Sequence, residues 1–173
     1  DGGDHGLGGL HATQVLSDDD WFNACHFKDD PCMPGTLMFD GCVQALQVWM
    51  LSTGISAEFP EHATFEPHAG VTTQLRCRGQ VIPGHKELVY MVQVKEANLS
   101  CDTPYAIADI TLVVDGLPSV FARDVTVCIV GDRIKSAIPT TVNYNRLMEF
   151  SVGEPSRAFG SAFQLYDGAL RTP

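Results

Sequence analysis

The feature that most constrains this chain is a long apolar stretch bounded by a proline and a glycine. Residues 34 to 53 read PGTLMFDGCVQALQVWMLST, and Gly54 follows. Proline is tolerated in the first turn of a helix and glycine commonly follows the last one, so the sequence predicts one helix over residues 34–53, about 28 Å long. Its apolar side chains fall on almost every face, which is typical of a helix enclosed by protein.

A period-two pattern surrounds this helix. A short strand is predicted over residues 10–16, and Asp115-Gly116 is a tight hairpin signal. Within residues 71–81, Leu75, Cys77 and Val81 face one way and polar residues face the other, which predicts a half-buried strand. Further strands are predicted over residues 88–95, 105–114 and 120–130. The fold class is therefore α+β, with an antiparallel sheet wrapped around one long helix.

Composition narrows the functional classes. The formal net charge of −10 disfavours binding to nucleic acid or to an anionic membrane. The apolar stretch contains Pro34, Asp40 and two glutamines, which favours a buried core helix over a membrane span. Six scattered cysteines without a C-x-x-C pair or a signal peptide indicate reduced thiols in a cytoplasmic protein. No cluster has metal-ligand spacing, so no metal site is expected.

The polar residues of the predicted helix form one stripe. Thr36, Asp40 and Gln44 follow at intervals of four residues, so Gln44 can hydrogen-bond Asp40. A buried carboxylate must be satisfied, protonated or facing a cavity. Two interpretations remain open: Asp40 is a structural buried residue, or burial keeps its carboxyl protonated as a usable general acid.

His26 gains interest from its position before this helix. The segment CHFKDDP joins His26 by a short turn to the helix N-terminus, which offers free backbone N–H groups and a positive dipole end. Gly35 allows close approach to the backbone there. A base, an acid and an N–H that stabilises an oxyanion would thus come from one short stretch.

The segment CHFKDDPCMPGTLMFDGCVQAL resembles the active-site segment of the β-hydroxydecanoyl-acyl carrier protein dehydratases. It is still more similar to the dehydratase domains of polyunsaturated fatty acid synthases and polyketide-type megasynthases. The matching residues are His26-Phe27, the turn D-P-C-M-P-G over residues 30–35, and Asp40. The stretch RGQVIPG over residues 78–84 resembles the G-Q-V-x-P strand end of the family. The resemblance implies a hot-dog fold.

The resemblance also implies site roles and a reaction. His26, Asp40 and Gly35 would be catalytic, and the reaction would be dehydration of a β-hydroxyacyl thioester to a trans-2-enoyl thioester. The aspartate resembles the branch that also isomerises the double bond. Substrate contacts would come from Phe27, Met33, Pro34, Thr36 and Gln44. Apolar side chains around the helix would form the acyl tunnel, although most fit a simple core equally well.

The partners implied are an acyl carrier protein and a second hot-dog unit. In the family the histidine and the acid of one site come from two packed units, either a homodimer or an adjacent module. The substrate is carried on phosphopantetheine, and no external cofactor is needed. Arg76 and Arg78 could contact an acidic carrier protein, but a solvated sheet face is the simpler interpretation.

The expected organisation is a hot-dog domain over residues 1–130, with the first strand and helix of the family missing. Residues 131–173 would be a linker and the start of a following hot-dog module, with a short helix over residues 143–150 and then a loop. Two other functions remain open: a hot-dog acyl thioesterase, and a non-catalytic hot-dog module of a multienzyme.

Overall fold

The structure, a computed structural model, describes residues 3–59 and 63–133, together with a short strand over residues 161–164. Within these residues the long helix, α1, spans Gly35–Ser52. Pro34 precedes it as the capping residue, and Gly54 follows with a φ of 83°. Since only glycine adopts that conformation without strain, the chain turns away from the helix there. The predicted helix and both of its ends are confirmed.

Seven strands in the described residues form one antiparallel sheet. They are β1 (Gly9–Val15), β2 (Thr64–Glu66), β3 (Gln74–Cys77), β4 (Glu87–Asn98), β5 (Tyr105–Val114), β6 (Leu117–Val130) and β7 (Ser161–Gln164). The order is β2-β6-β5-β4-β1-β7, and β3 also pairs with β6. The predicted hairpin joins β5 to β6, with positive φ at both Asp115 and Gly116 as in a type I′ turn.

The core lies between α1 and the inner face of this sheet. The helix contributes buried side chains at the helical spacing, and β4 contributes every second residue of its first half. These residues are Met38, Cys42, Ala45, Leu46, Trp49 and Met50 from α1, and Leu88, Tyr90, Val92 and Val94 from β4. The sheet curls around the helix, so the predicted α+β hot-dog fold is confirmed.

One face of α1 is open, which corrects the prediction of an enclosed helix. Thr36, Asp40, Gln44 and Leu51 are exposed. The sheet of a single chain covers only one side of the helix, so the polar stripe predicted to be buried lies on the surface. Sequence patterning detected the stripe but not the absence of cover within this chain.

The prediction of a half-buried strand in residues 71–81 is also wrong in part. All four residues of β3 are exposed, including Leu75 and Cys77, whereas Val81 beyond the strand is buried. Among the described strands, β3 pairs only with β6, so it lies at the edge of the sheet. Alternating polarity does not reveal whether a neighbour covers the apolar side.

The C-terminal region differs from the predicted loop at one place. Ser161–Gln164 forms β7 and pairs with β1, whose outer edge would otherwise carry unpaired backbone groups. The helix predicted over residues 143–150 lies outside the described residues. In the part of the chain that the structure describes, no helix is long and apolar enough to cross a membrane.

Candidate active site

His26 is held by backbone contacts with the turn that precedes α1. Its Nδ1 lies 3.0 Å from the carbonyl oxygen of Cys32, and the Cys32 N–H donates to the His26 carbonyl at 2.7 Å. Because a carbonyl can only accept, the proton of a neutral imidazole lies on Nδ1. The lone pair of Nε2 is then available to a substrate, and this tautomer is the one that a general base requires.

Two further side chains contact the imidazole. The Phe27 ring lies 3.9 Å from the His26 ring, centroid to centroid, and is itself largely exposed. The buried Cys32 sulfur lies 3.6 Å from Nδ1. The ring of His26 is therefore flanked on one face by an aromatic side chain, and its Nδ1 edge is turned into the protein.

The turn between His26 and the helix is fastened to a distant segment. The Met33 N–H donates to the carbonyl of Val81 at 2.8 Å, and both side chains are buried. Pro34, the next residue, is half-buried. The segment around Val81 is the one that the sequence singled out in RGQVIPG, and it fixes the height of the turn relative to the sheet.

The N-terminus of α1 presents free donors beside this turn. The Pro34 carbonyl accepts from the N–H groups of Leu37 and Met38, whereas the N–H of Gly35 has no acceptor among the described residues. A Cβ on Gly35 would meet no protein atom within 4 Å. A partly negative oxygen can therefore approach the Gly35 N–H at the positive end of the helix dipole.

Asp40 and Gln44 form a pair on the exposed face of α1. The Gln44 amide donates to Oδ2 of Asp40 at 2.6 Å, as the spacing predicts. Both residues are exposed, so the expectation that burial within this chain keeps the Asp40 carboxyl protonated is wrong. The remaining residue of the stripe, Thr36, is exposed one turn before Asp40.

The structure does not join His26 to Asp40 directly. Across residues 3–59 and 63–133, no hydrogen bond or ion pair links the two side chains: His26 bonds within its own turn and Asp40 bonds to Gln44. Half-buried apolar side chains flank the polar stripe, namely Leu37, Phe39, Val43 and Val48. One chain therefore presents a base and an acid in separate settings, with the acid on an open, partly apolar helix face.

Sequence reasoning missed the neighbours of Asp40 on its other side. Tyr90 of β4 is buried, and its hydroxyl lies against Gly41. Burial raises the pKa of the Cys42 thiol to about 12, so this cysteine is a neutral core residue. The available signals were an inward-facing tyrosine in an alternating strand and a glycine inside a helix.

Neither metal ligation nor cysteine bridging contributes to this arrangement. Among the described residues, no group of three histidine, cysteine or carboxylate side chains could hold a metal ion. All six cysteines are free thiols. The chemistry of the candidate site therefore depends on His26, Asp40 and the free N–H groups at the start of α1.

Comparison with solved structures finds likenesses of low identity. A hot-dog-like protein from Thermanaerovibrio acidaminovorans has a TM-score of 0.45 and 12% identity, over 84% of this chain and 93% of that one. A 1,4-dihydroxy-2-naphthoyl-CoA thioesterase from Synechocystis has a TM-score of 0.46 and 11% identity, over 82% of this chain and 96% of that one. Likeness at this level carries no information about activity.

Sequence comparisons are more specific. One polypeptide of the polyunsaturated fatty acid synthase of a Thraustochytrium species is 37% identical over 118 residues, which are 65% of this chain. The match spans only 8% of that much longer protein. The family model described as FabA-like domain matches residues 1–122, which include the whole segment from His26 to Gln44. The chain therefore belongs to the FabA-like domain family.

Proposed function

We propose that this chain dehydrates β-hydroxyacyl thioesters carried on an acyl carrier protein, giving trans-2-enoyl thioesters. The observation that carries the proposal is the hydrogen bond from Nδ1 of His26 to the Cys32 carbonyl. This bond leaves Nε2 unprotonated, beside the helix N-terminus that presents the Gly35 N–H. Membership of the FabA-like domain family supports the same assignment.

The reaction needs a base, an acid and a stabilised carbonyl. His26 Nε2 removes a proton from C2 of the acyl group, and the electrons of that bond form the C2–C3 double bond. The C3–O bond breaks, and the hydroxyl leaves as water with a proton from Asp40. The Gly35 N–H stabilises the negative charge that develops on the thioester oxygen. The protein needs no external cofactor, since the thioester makes the C2 proton acidic.

The substrate would lie between the turn and the helix. Phe27, Met33 and Pro34 border His26, and Thr36 and Gln44 lie on the same face of α1 as Asp40. Met33 is buried, so its contribution is to shape the turn, whereas Phe27 is exposed and available to an acyl chain. Isomerisation of the new double bond remains a further activity proposed from the aspartate at position 40.

A second hot-dog unit completes the site in this proposal. The open face of α1 carries Asp40 and Gln44 together with half-buried apolar side chains, a composition suited to protein contact. Packing a second unit on that face would place its histidine near this chain's Asp40 and exclude water from both. The unit would be a second copy or an adjacent module of a longer synthase.

A thioesterase is the second candidate, and one test separates the two. The chain is incubated with a β-hydroxyacyl thioester and with the matching saturated acyl thioester. Dehydration gives the conjugated enoyl thioester from the first substrate and no free thiol from either. Release of thiol from both substrates would establish hydrolysis instead, and inertness toward both would support the non-catalytic module.

A further inference from the structure

Tyr90 reaches α1 at the residue next to Asp40. It lies on β4 and is only 6% exposed. A Cβ placed on Gly41 would lie 2.6 Å from the ring carbon that bears the Tyr90 hydroxyl, and closer still to the hydroxyl oxygen. The end of the phenol thus occupies the space that a side chain at position 41 would fill, in contact with the helix backbone.

This contact lies at the border of the polar stripe. Gly41 is half-buried, with the exposed Asp40 on one side and the buried Cys42 on the other. Because Gly41 has no side chain, the hydroxyl of Tyr90 is separated from the open face of the helix only by backbone. The phenol therefore places a polar group beside the proposed proton donor rather than deep in the core.

The hydroxyl remains protonated and has no partner within the described residues. Burial, with smaller contributions from Cys42 and Asp40, raises the pKa of Tyr90, so the O–H stays intact throughout the physiological range. Leaving a buried hydroxyl without a hydrogen bond costs about 1–3 kcal/mol, which is a reason to look for a functional partner. The carboxylate beside it is the nearest candidate on the open side.

We propose that Tyr90 is a positioning residue that acts through Asp40, an inference that rests on the proposed dehydration. Gln44 already donates to Oδ2 of Asp40, and Oδ1 has no donor among the described residues. When Asp40 transfers its proton to the departing hydroxyl, the Tyr90 O–H donates a hydrogen bond to the new carboxylate. The phenol keeps its own proton, and the charge formed on Asp40 in the transition state is stabilised.

The variant Tyr90→Phe tests this role because it keeps the ring and removes only the hydroxyl. Loss of one hydrogen bond to a charged group should lower kcat about tenfold with little change in KM. The pH–rate profile should also move, since a neutral donor beside a carboxyl favours one of its protonation states. Tyr105→Phe is the matched control: its hydroxyl donates to Glu96, and its loss should leave both readouts unchanged.

A double-mutant cycle identifies the route of the effect. In an Asp40→Asn background, Tyr90→Phe should cause no further loss of the residual turnover, because the group through which it acts is gone. A Tyr90→Phe enzyme with wild-type kcat and pH profile would overturn the inference, as would an equal loss in both backgrounds. Absence of dehydration in the wild-type chain would instead refute the proposed function, so the two failures are distinguishable.

Discussion

The Gln44 side-chain amide donates a 2.6 Å hydrogen bond to the Asp40 carboxylate, one helical turn away on the open face of α1. This pair is fixed within one chain, without help from the turn that holds His26. The acid and the base are therefore oriented independently, each by its own local contacts. A composite site between two units needs this independence, since each half must be ready before the units meet.

Removing the Gln44 donor should impair turnover. Gln44→Leu leaves Asp40 free to rotate, and we expect kcat to fall about tenfold, the equivalent of one charge-assisted hydrogen bond. Gln47→Leu, on the same helix, is the matched control and should retain wild-type kinetics. Steady-state kinetics on a β-hydroxyacyl thioester provide the measurement, and equal kcat values for the two variants would contradict the role assigned to Gln44.

The two glycines of α1 should respond oppositely to alanine. A Cβ at Gly41 would overlap the Tyr90 phenol, so Gly41→Ala should lower the free energy of unfolding by about 1–3 kcal/mol. A Cβ at Gly35 meets no protein atom, so Gly35→Ala should leave stability within about 0.5 kcal/mol of wild type.

Activity should show the reverse order at Gly35. Its added methyl would stand where the thioester oxygen approaches the N–H, and about a 10- to 100-fold loss of kcat/KM is expected. Urea denaturation and kinetics on the same preparations test both statements. A Gly35→Ala protein with full activity would remove this N–H from the proposed site.

Complementation between inactive variants tests the second hot-dog unit. If one site takes His26 from one copy and Asp40 from the other, mixing His26→Ala with Asp40→Asn creates sites with both native residues. Random exchange between symmetric dimers should restore about a quarter of wild-type turnover. Each variant alone should remain inactive. An active wild-type chain that sediments as a monomer, or a mixture without recovery, would contradict assembly from two copies.

Asp109 predicts a dependence of stability on pH. Burial opposes its ionisation, but hydrogen bonds from the Asp124 N–H, Arg123 and Lys95 outweigh burial and hold the pKa of Asp109 below its ordinary value. Because the unfolded value is about 3.9, the stabilisation is complete above that pH and is lost as the pH falls through the lower native pKa.

Asp109→Asn should therefore be less stable than wild type near neutral pH, by about 1 kcal/mol once solvent screening is allowed for. Near about pH 2 the difference should shrink, because the wild-type carboxyl is then becoming protonated. Asp102→Asn, at an exposed loop residue, is the control and should differ from wild type at neither pH. Urea denaturation at the two pH values provides the test, and a constant deficit would contradict the electrostatic explanation.

Local signals made much of the fold predictable. Pro34 and Gly54 set the ends of α1, and Asp115-Gly116 set the hairpin, because each of these depends on the backbone preferences of one or two residues. The bond from Gln44 to Asp40 was predictable for the same reason, since it follows from helical spacing alone.

Features that depend on distant neighbours were not predictable in the same way. Asp40 was expected to be buried, but cover over the helix is supplied by whatever packs on it, which the spacing of residues does not encode. The exposure of Leu75 follows from the edge position of β3, and the contact of Tyr90 with Gly41 follows from the distance between sheet and helix. Each is a tertiary relationship between segments far apart in sequence.

The most direct test of the central claim is the rate of enoyl thioester formation by the wild-type chain, His26→Ala and Asp40→Asn, with circular dichroism to verify the fold. The wild-type chain should convert a β-hydroxyacyl thioester to the conjugated alkene. Each variant should lose turnover by a factor on the order of 10³ or more while remaining folded, because each removes a proton-transfer group. Wild-type rates in either folded variant would contradict the assignment of His26 and Asp40 as base and acid.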